Sequence, residues 1–231
     1  MKDRNSISMS TLERLPVGCQ SLDLLLGGGF ESGIITELYG ESGSGKSNIV
    51  LQLAVAAVAR GYRVIFIDTE GFSAERFKQI AGPGAADMAA KIMIFEPMSL
   101  EQQAMAIREA SKIAGRDLGL VVLDSATSLY RMLLEAEDSR PARRALTVQL
   151  SELQEIARRH RIPVVITNQV YTDIESNSLR PLGGTYLEHM CKAIILLEKT
   201  GEGLRRARLM KHRSLPENRT AEFRLTARGL E

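Results

Sequence analysis

The chain has 231 residues, of which 44% are hydrophobic and 25% charged, with 30 basic side chains against 28 acidic ones. That length suits one α/β domain with at most a small appendage, and a chain of this size builds its core without disulfide staples. The formal net charge of +2 excludes nucleic-acid binding by global charge, so any such contact has to come from local basic clusters.

Residues 1–14 read as a polar leader and residues 15–231 as a single domain. After Pro16, the run to Leu26 predicts a short helix stopped by Gly27, Gly28 and Gly29. Ile34–Tyr39 reads as a strand, Asn48–Arg60 as a buried helix capped by Gly61, and Val64–Asp68 as a buried strand. A helix is expected over Ala74–Ile80, a strand over Ile92–Phe95, a helix over Ser99–Gly115 and a strand over Leu118–Leu123. The long helix Arg140–Arg161 leads to another buried strand, Pro163–Thr167. Such alternation predicts a mostly parallel central sheet flanked by helices. The tail differs: Lys192–Glu198, Arg205–Lys211 and Ala221–Thr226 read as consecutive strands that extend the sheet with antiparallel edges. The stretch Tyr171–Arg180 shows no periodicity and reads as a functional loop.

Cys19 and Cys191 stand far apart and read as free, buried thiols in a reducing compartment. His160, His189 and His212 show no metal-ligand spacing with them. The first ten residues are polar and no apolar run has the roughly 18–20 residues of a membrane helix, so a cytoplasmic protein with no membrane partner is expected.

The chemistry starts at Gly40-Glu41-Ser42-Gly43-Ser44-Gly45-Lys46-Ser47, which lies between a strand and a helix. Glycines let successive backbone N–H groups turn inward to phosphate oxygens, and the helix N-terminus adds positive partial charge. Lys46 is the cation for the terminal phosphates, Ser47 a hydroxyl ligand for Mg²⁺, and Asn48 opens the helix beside them. ATP and Mg²⁺ are therefore the expected cofactors. Leu120–Asp124 is an apolar strand ending in a carboxylate, which suits a second Mg²⁺ contact at Asp124, although an Asp there also suits a helix N-cap. Asp68 and Glu70 end another strand at the same edge, and spacing does not choose between them as the group that activates water.

These residues resemble the RecA/RadA recombinase family over nearly the whole chain, most strongly its short archaeal paralogues of RadA. The resemblance rests on Ser21–Gly29 before the first strand, on Asp68-Thr-Glu-Gly71, on Thr167-Asn-Gln-Val170 and on Pro181-Leu-Gly-Gly184. It implies a RecA-type P-loop ATPase core, with Glu70 as the catalytic base and Gln169 sensing the terminal phosphate. It also implies that Arg76 stacks on adenine. It places one DNA-binding loop near Arg131, Arg140, Arg143 and Arg144, and a second near Arg180. A solvated helix start beside Glu135, Glu137 and Asp138 accounts for the first cluster equally well. Lys211 and Arg213, expected on one strand face, are candidates to reach a neighbouring protomer's phosphates in a homo-oligomer, and a basic sheet-edge role suits Lys211 as well.

The function implied is DNA repair and homologous recombination. The chain would bind single-stranded DNA, with double-stranded DNA a further candidate, and act as accessory to a RadA-type recombinase, with slow ATP hydrolysis. The alternative is a KaiC-like regulatory ATPase that acts on protein partners without DNA. A strand-exchange enzyme is disfavoured, because Met1–Leu15 contains neither phenylalanine nor alanine, and the family's docking segment is Phe-x-x-Ala.

Overall fold

The computed structural model describes residues 13–134, 139–173 and 178–231. The expected leader and the acidic residues Glu135, Glu137 and Asp138 fall outside the described residues, apart from Glu13 and Arg14.

In chain order, β1 (Arg14–Leu15), α1 (Gln20–Leu25) and β2 (Phe30–Glu31) precede β3 (Ile35–Gly40) and α2 (Lys46–Ala59). Then come β4 (Arg63–Asp68), α3 (Ala74–Ala81), a 3-10 turn over Gly82–Gly84, α4 (Ala85–Ala89) and β5 (Ile92–Phe95). They are followed by α5 (Leu100–Ile113), β6 (Leu118–Asp124), α6 (Ser128–Arg131), α7 (Arg140–His160) and β7 (Val164–Asn168). The chain finishes with β8 (Val170–Asp173), β9 (Ser178–Pro181), α8 (Gly184–Met190), β10 (Ala193–Lys199), β11 (Leu204–His212), β12 (Thr220–Thr226) and β13 (Gly229–Leu230).

Among the described residues, nine strands form one sheet in the order β13-β12-β11-β10-β3-β7-β6-β4-β5. The strands from β10 to β5 are parallel, and β10 to β13 pair antiparallel, as the sequence predicts. β3 and β6 are buried along their whole length, because helices cover both faces. On one face, Ile49, Leu53 and Ala57 of α2 meet Leu38, Phe66 and Val122 of the sheet. On the other, Ile107 of α5 and Leu150 and Leu153 of α7 meet Ile35, Ile67 and Val121. A buried Gln103–Gln149 hydrogen bond of 2.7 Å ties α5 to α7. Burying both amides without it would leave unpaired polar groups at a cost of about 1–3 kcal/mol each.

Local signals set the ends of these helices. The Ser73 and Ser99 hydroxyls accept from the backbone N–H groups of Arg76 and Gln102, capping α3 and α5. α7 stops at Arg161, whose φ is 53°, just before Pro163. Both cysteines are free and buried, Cys19 in one core and Cys191 in the other.

Two expectations change. The described ends of Tyr171–Arg180 are not aperiodic: β8 and β9 pair antiparallel, with Tyr171 opposite Arg180. β11 ends at His212, so the alternation that would set Lys211 and Arg213 on one face stops there. The Arg213 guanidinium instead turns to the fully buried carboxylate of Glu31. Arg14 and His212 approach Glu31 as well, at 3.4 and 3.5 Å.

Candidate nucleotide site and its link to the hairpin

The parallel strands deliver their last residues to one edge, where a cavity of about 530 Å³ opens. It is lined by the phosphate loop on one side, by Glu70 and Arg131 on another, and by Gln169, Tyr171 and Leu179 on the third. The loop's backbone requires glycine where it leaves β3. Gly40 has φ 154°, and a Cβ there would lie 2.3 Å from the Leu197 carbonyl oxygen of neighbouring β10. Gly45, φ 106°, precedes α2 and leaves the helix N-terminus open toward the loop.

Lys46 is largely buried, and its ammonium donates to the carbonyls of Gly40 at 2.8 Å and Glu41 at 3.0 Å. Burial pulls its pKa down, and the nearby carboxylates of Glu70 and Asp124 oppose that shift. Asp124, at the end of β6, is 4% exposed. Burial pushes its carboxyl up to about 6, while hydrogen bonds from the Thr167 and Ser47 hydroxyls work the other way. Ser47 and Asp124 therefore stand side by side, a hydroxyl and a carboxylate, both hard oxygen donors. That donor set fits Mg²⁺, which keeps several waters and shares phosphate oxygens, so it needs few protein ligands.

The structure separates the two strand-end carboxylates left open by spacing. Asp68 accepts the Gly71 N–H at 2.9 Å and holds the turn that follows β4. Its carboxyl is raised by burial and lowered in part by the backbone N–H groups of residues 70–72. Glu70, carried on that turn, faces the cavity, and its Oε1 accepts the Gln169 side-chain amide at 2.9 Å. Asp68 shapes the loop and Glu70 is presented by it.

Gln169 is the last residue before β8, and it is held from several sides. Arg131 Nη1 donates to its Oε1 at 3.4 Å, and its backbone carbonyl accepts the Leu182 N–H at 3.0 Å. Beneath it lies a buried polar network that sequence reasoning did not assemble. The Thr127 hydroxyl donates to Asn168 Oδ1 at 2.5 Å. The Asn168 amide donates to Glu37 Oε1 and to the Leu182 carbonyl, both at 2.7 Å. Glu37 is fully buried, and burial pushes its carboxyl up to about 7, only partly offset by Asn168. Four separate segments thus meet below Gln169: β3, the turn after β6, the end of β7 and the residues closing the hairpin.

The other expected residues distribute as follows. Arg76 does not line the cavity; its guanidinium donates to Asn48 Oδ1 at 2.5 Å and to the carbonyls of Thr226 and Ala227 at 2.8 and 3.0 Å. Arg143 lines a second cavity of about 500 Å³ with Tyr130, Tyr171 and Tyr186, on the far side of the hairpin. Arg140 opens α7, Arg144 is exposed on it, and Arg180 sits on β9. Arg131, Arg143 and Arg180 are gathered around the hairpin, whereas Arg144 lines neither cavity. Lys211, near the C-terminal end of β11, donates to the Glu188 carbonyl at 2.6 Å.

Comparisons with known proteins give the family and the fold. A family model described as Rad51 matches residues 8–231. The chain is 56% identical over 219 residues to the "DNA repair and recombination protein RadB" of Methanococcoides burtonii, covering 94% of this chain and 97% of that one. The chain belongs to the Rad51 family, in its RadB branch. A second RadB protein, from Archaeoglobus fulgidus, is 44% identical over 221 residues, covering 94% and 97% of the two chains. A solved structure titled "Crystal structure of the RadB recombinase" superposes with a TM-score of 0.82 at 37% identity, over 94% of this chain and 98% of that one. The RecA/Rad51-type core read from the sequence is thus the fold, and nothing in these comparisons supports the KaiC-like alternative. Among the described residues, no helix is long and apolar enough to cross a membrane.

Proposed function

We propose that this RadB-branch protein acts in DNA repair and homologous recombination as an ATP-controlled, DNA-binding accessory of a RadA-type recombinase in the cytoplasm. The observation that carries the reading is Gln169. It touches Glu70 in the nucleotide cavity and starts the hairpin that Arg131, Arg143 and Arg180 surround. Nucleotide state and DNA-facing surface therefore share one side chain. The relatives named as DNA repair and recombination proteins support the process.

In this reading the phosphate loop and Lys46 bind ATP, and Ser47 and Asp124 hold Mg²⁺, which would neutralise charge on the terminal phosphates. Glu70 orients and deprotonates the attacking water. Its neighbour Gln169 reports whether the terminal phosphate is present, through an uncharged amide that changes partners without a change in pKa. Arg76, fixed beside Asn48, offers a flat guanidinium to the adenine ring. Lys211 is the candidate to act in trans between copies, whereas Arg213 is held by Glu31. Hydrolysis is slow, and ATP serves mainly as a conformational ligand.

The test is binding of a fluorescent single-stranded oligonucleotide over a salt series, with and without ATP and Mg²⁺. Salt-dependent binding that ATP alters is expected. Absence of binding at low salt in every nucleotide state would overturn the reading.

A further inference from the structure

The sheet has a second polar edge. Every parallel strand begins there, so the helices that lead into β4, β6 and β7 end there. Six residues of β4 set the two edges about 20 Å apart. At this edge lies a cavity of about 360 Å³, whose lining includes Arg60, Tyr62, Arg116 and Arg161, with Glu13 and His160. Arg60 follows α2, Arg116 lies in the turn between α5 and β6, and Arg161 ends α7 with a left-handed backbone.

The ordinary account of such cations is that they complement helix C-termini. Of the three, only the Arg60 guanidinium bonds a helix carbonyl, that of Ala56 at 2.8 Å. Arg116 and Arg161 are exposed, and their guanidinium groups have no hydrogen-bond or ion-pair partner among the described residues. The neighbouring arginines are engaged: Arg63 with Asp117 at 2.5 Å, and Arg14 with buried Glu31. Among the lining residues Glu13 is the one carboxylate, against four arginines, of which Arg14 is already paired with Glu31. Among the described residues, the His160 Nε2 atom is buried here without a hydrogen-bond partner.

Tyr62 adds a second chemistry. It is 42% exposed, and it lies against the backbone of β6, where a Cβ on Gly119 would sit 2.5 Å from its Cβ and Cγ atoms. The side chain is thus seated on the strand while part of it stays open to the cavity.

We propose that this cavity is a second nucleic-acid site, in which Arg60, Arg116 and Arg161 take the phosphates of a single strand and a base stacks on Tyr62. Guanidinium forks match phosphate oxygens, and an exposed, seated ring matches a base of any identity. An acidic peptide would satisfy the arginines and leave the ring unused. The proposal rests on the DNA-binding reading above but uses none of its residues. At about 20 Å from the phosphate loop, binding here is insensitive to ATP.

The experiment uses the full chain carrying Arg60→Ser, Arg116→Ser and Arg161→Asn, the last because asparagine tolerates the left-handed backbone. Binding of a fluorescein-labelled oligothymidylate is followed over a salt series without nucleotide. The expected results are affinity at least tenfold weaker at low salt and a slope of log K against log salt smaller by about 2, given about 0.7 per single-strand phosphate. Binding of a labelled ATP analogue stays as in the parent chain. Tyr62→Leu weakens binding several-fold with the slope unchanged. If the triple variant is poorly folded by circular dichroism, Arg116→Ser alone lowers the slope by about 0.7. Parent-like slope and affinity in a folded variant overturn this site and leave the hairpin-face reading standing. A parent chain that binds no DNA overturns both readings. Displacement of a polyglutamate peptide from the cavity, with DNA affinity unchanged by the variant, assigns it to an acidic protein partner and overturns the proposal.

Discussion

Two constructions meet at Gln169, and they are built by opposite means. The phosphate loop is eight contiguous residues whose shape comes from backbone freedom at Gly40, Gly43 and Gly45, and it faces the solvent-filled cavity. The network of Glu37, Thr127 and Asn168 is made of side chains from distant segments, and it is buried. The first is exposed at Glu41, Ser42, Gly43 and Ser47, so a ligand-binding group lost there leaves no orphan, and only Lys46 carries a buried hydrogen bond, to the Gly40 carbonyl. The second cannot lose a partner cheaply, because a carboxyl and a carbonyl stay buried when the amide goes. The difference teaches that the same edge of the sheet holds one part tuned for binding and another tuned for rigidity, with Gln169 between them.

That contrast can be broken or sharpened by substitution, starting with the largest effect. Lys46→Ala removes the cation facing the loop carbonyls and should abolish binding of a labelled ATP analogue, a loss of at least a hundredfold. The Gly40 carbonyl loses its buried donor, so the melting temperature should fall by a few degrees, whereas a collapse in stability would show that the loop is structural. Glu70→Gln should keep ATP binding and lower hydrolysis about a hundredfold, the range for losing a general base. An unchanged turnover in a phosphate-release assay would remove Glu70 from that role.

On the buried side, Asn168→Ala should cost about 3 kcal/mol in a denaturant titration, since it leaves Glu37 and the Leu182 carbonyl without their donor. A cost below about 1 kcal/mol would mean that the network is not tight. Glu37→Gln should flatten the dependence of stability on pH. The Glu37 carboxyl rises from 4.5 to about 7 in the folded protein, so between those values the folded state holds a proton that the unfolded state has lost. Stability therefore falls as pH rises from about 4.5 to 7, and the Gln variant lacks that part of the fall. Parallel pH profiles of melting temperature for the two proteins would contradict the assignment. Asp124, raised to about 6, contributes in the same direction and is common to both.

Legibility in the sequence follows the same division. The phosphate loop, the Asp124 strand and the parallel order of the sheet were readable because each is encoded in a contiguous run. The β8–β9 hairpin was not. Its arms are four residues each and carry Asp173 and Pro181, residues that strands disfavour. The burial of Glu37 is not legible either, because Ile34–Tyr39 reads only as a strand. The cover of Glu37 comes from Asn168, 131 positions away, and nothing local announces that. The turn and helix over Gly82–Ala89 were also passed over, since Gly82-Pro83-Gly84 signals a break rather than a short helical connection. Arg213 departs for a related reason: β11 ends at His212, and the partner of Arg213 is buried Glu31 on distant β2, which the local pattern does not contain.

The claim on which the rest depends is that Gln169 carries nucleotide state to the hairpin. The direct measurement is the ratio of single-stranded DNA affinities with and without ATP and Mg²⁺, taken for the parent chain and for Gln169→Ala. The account predicts a ratio clearly different from one in the parent chain and a ratio near one in the variant, with ATP binding intact in both. The same ratio in both proteins would contradict it.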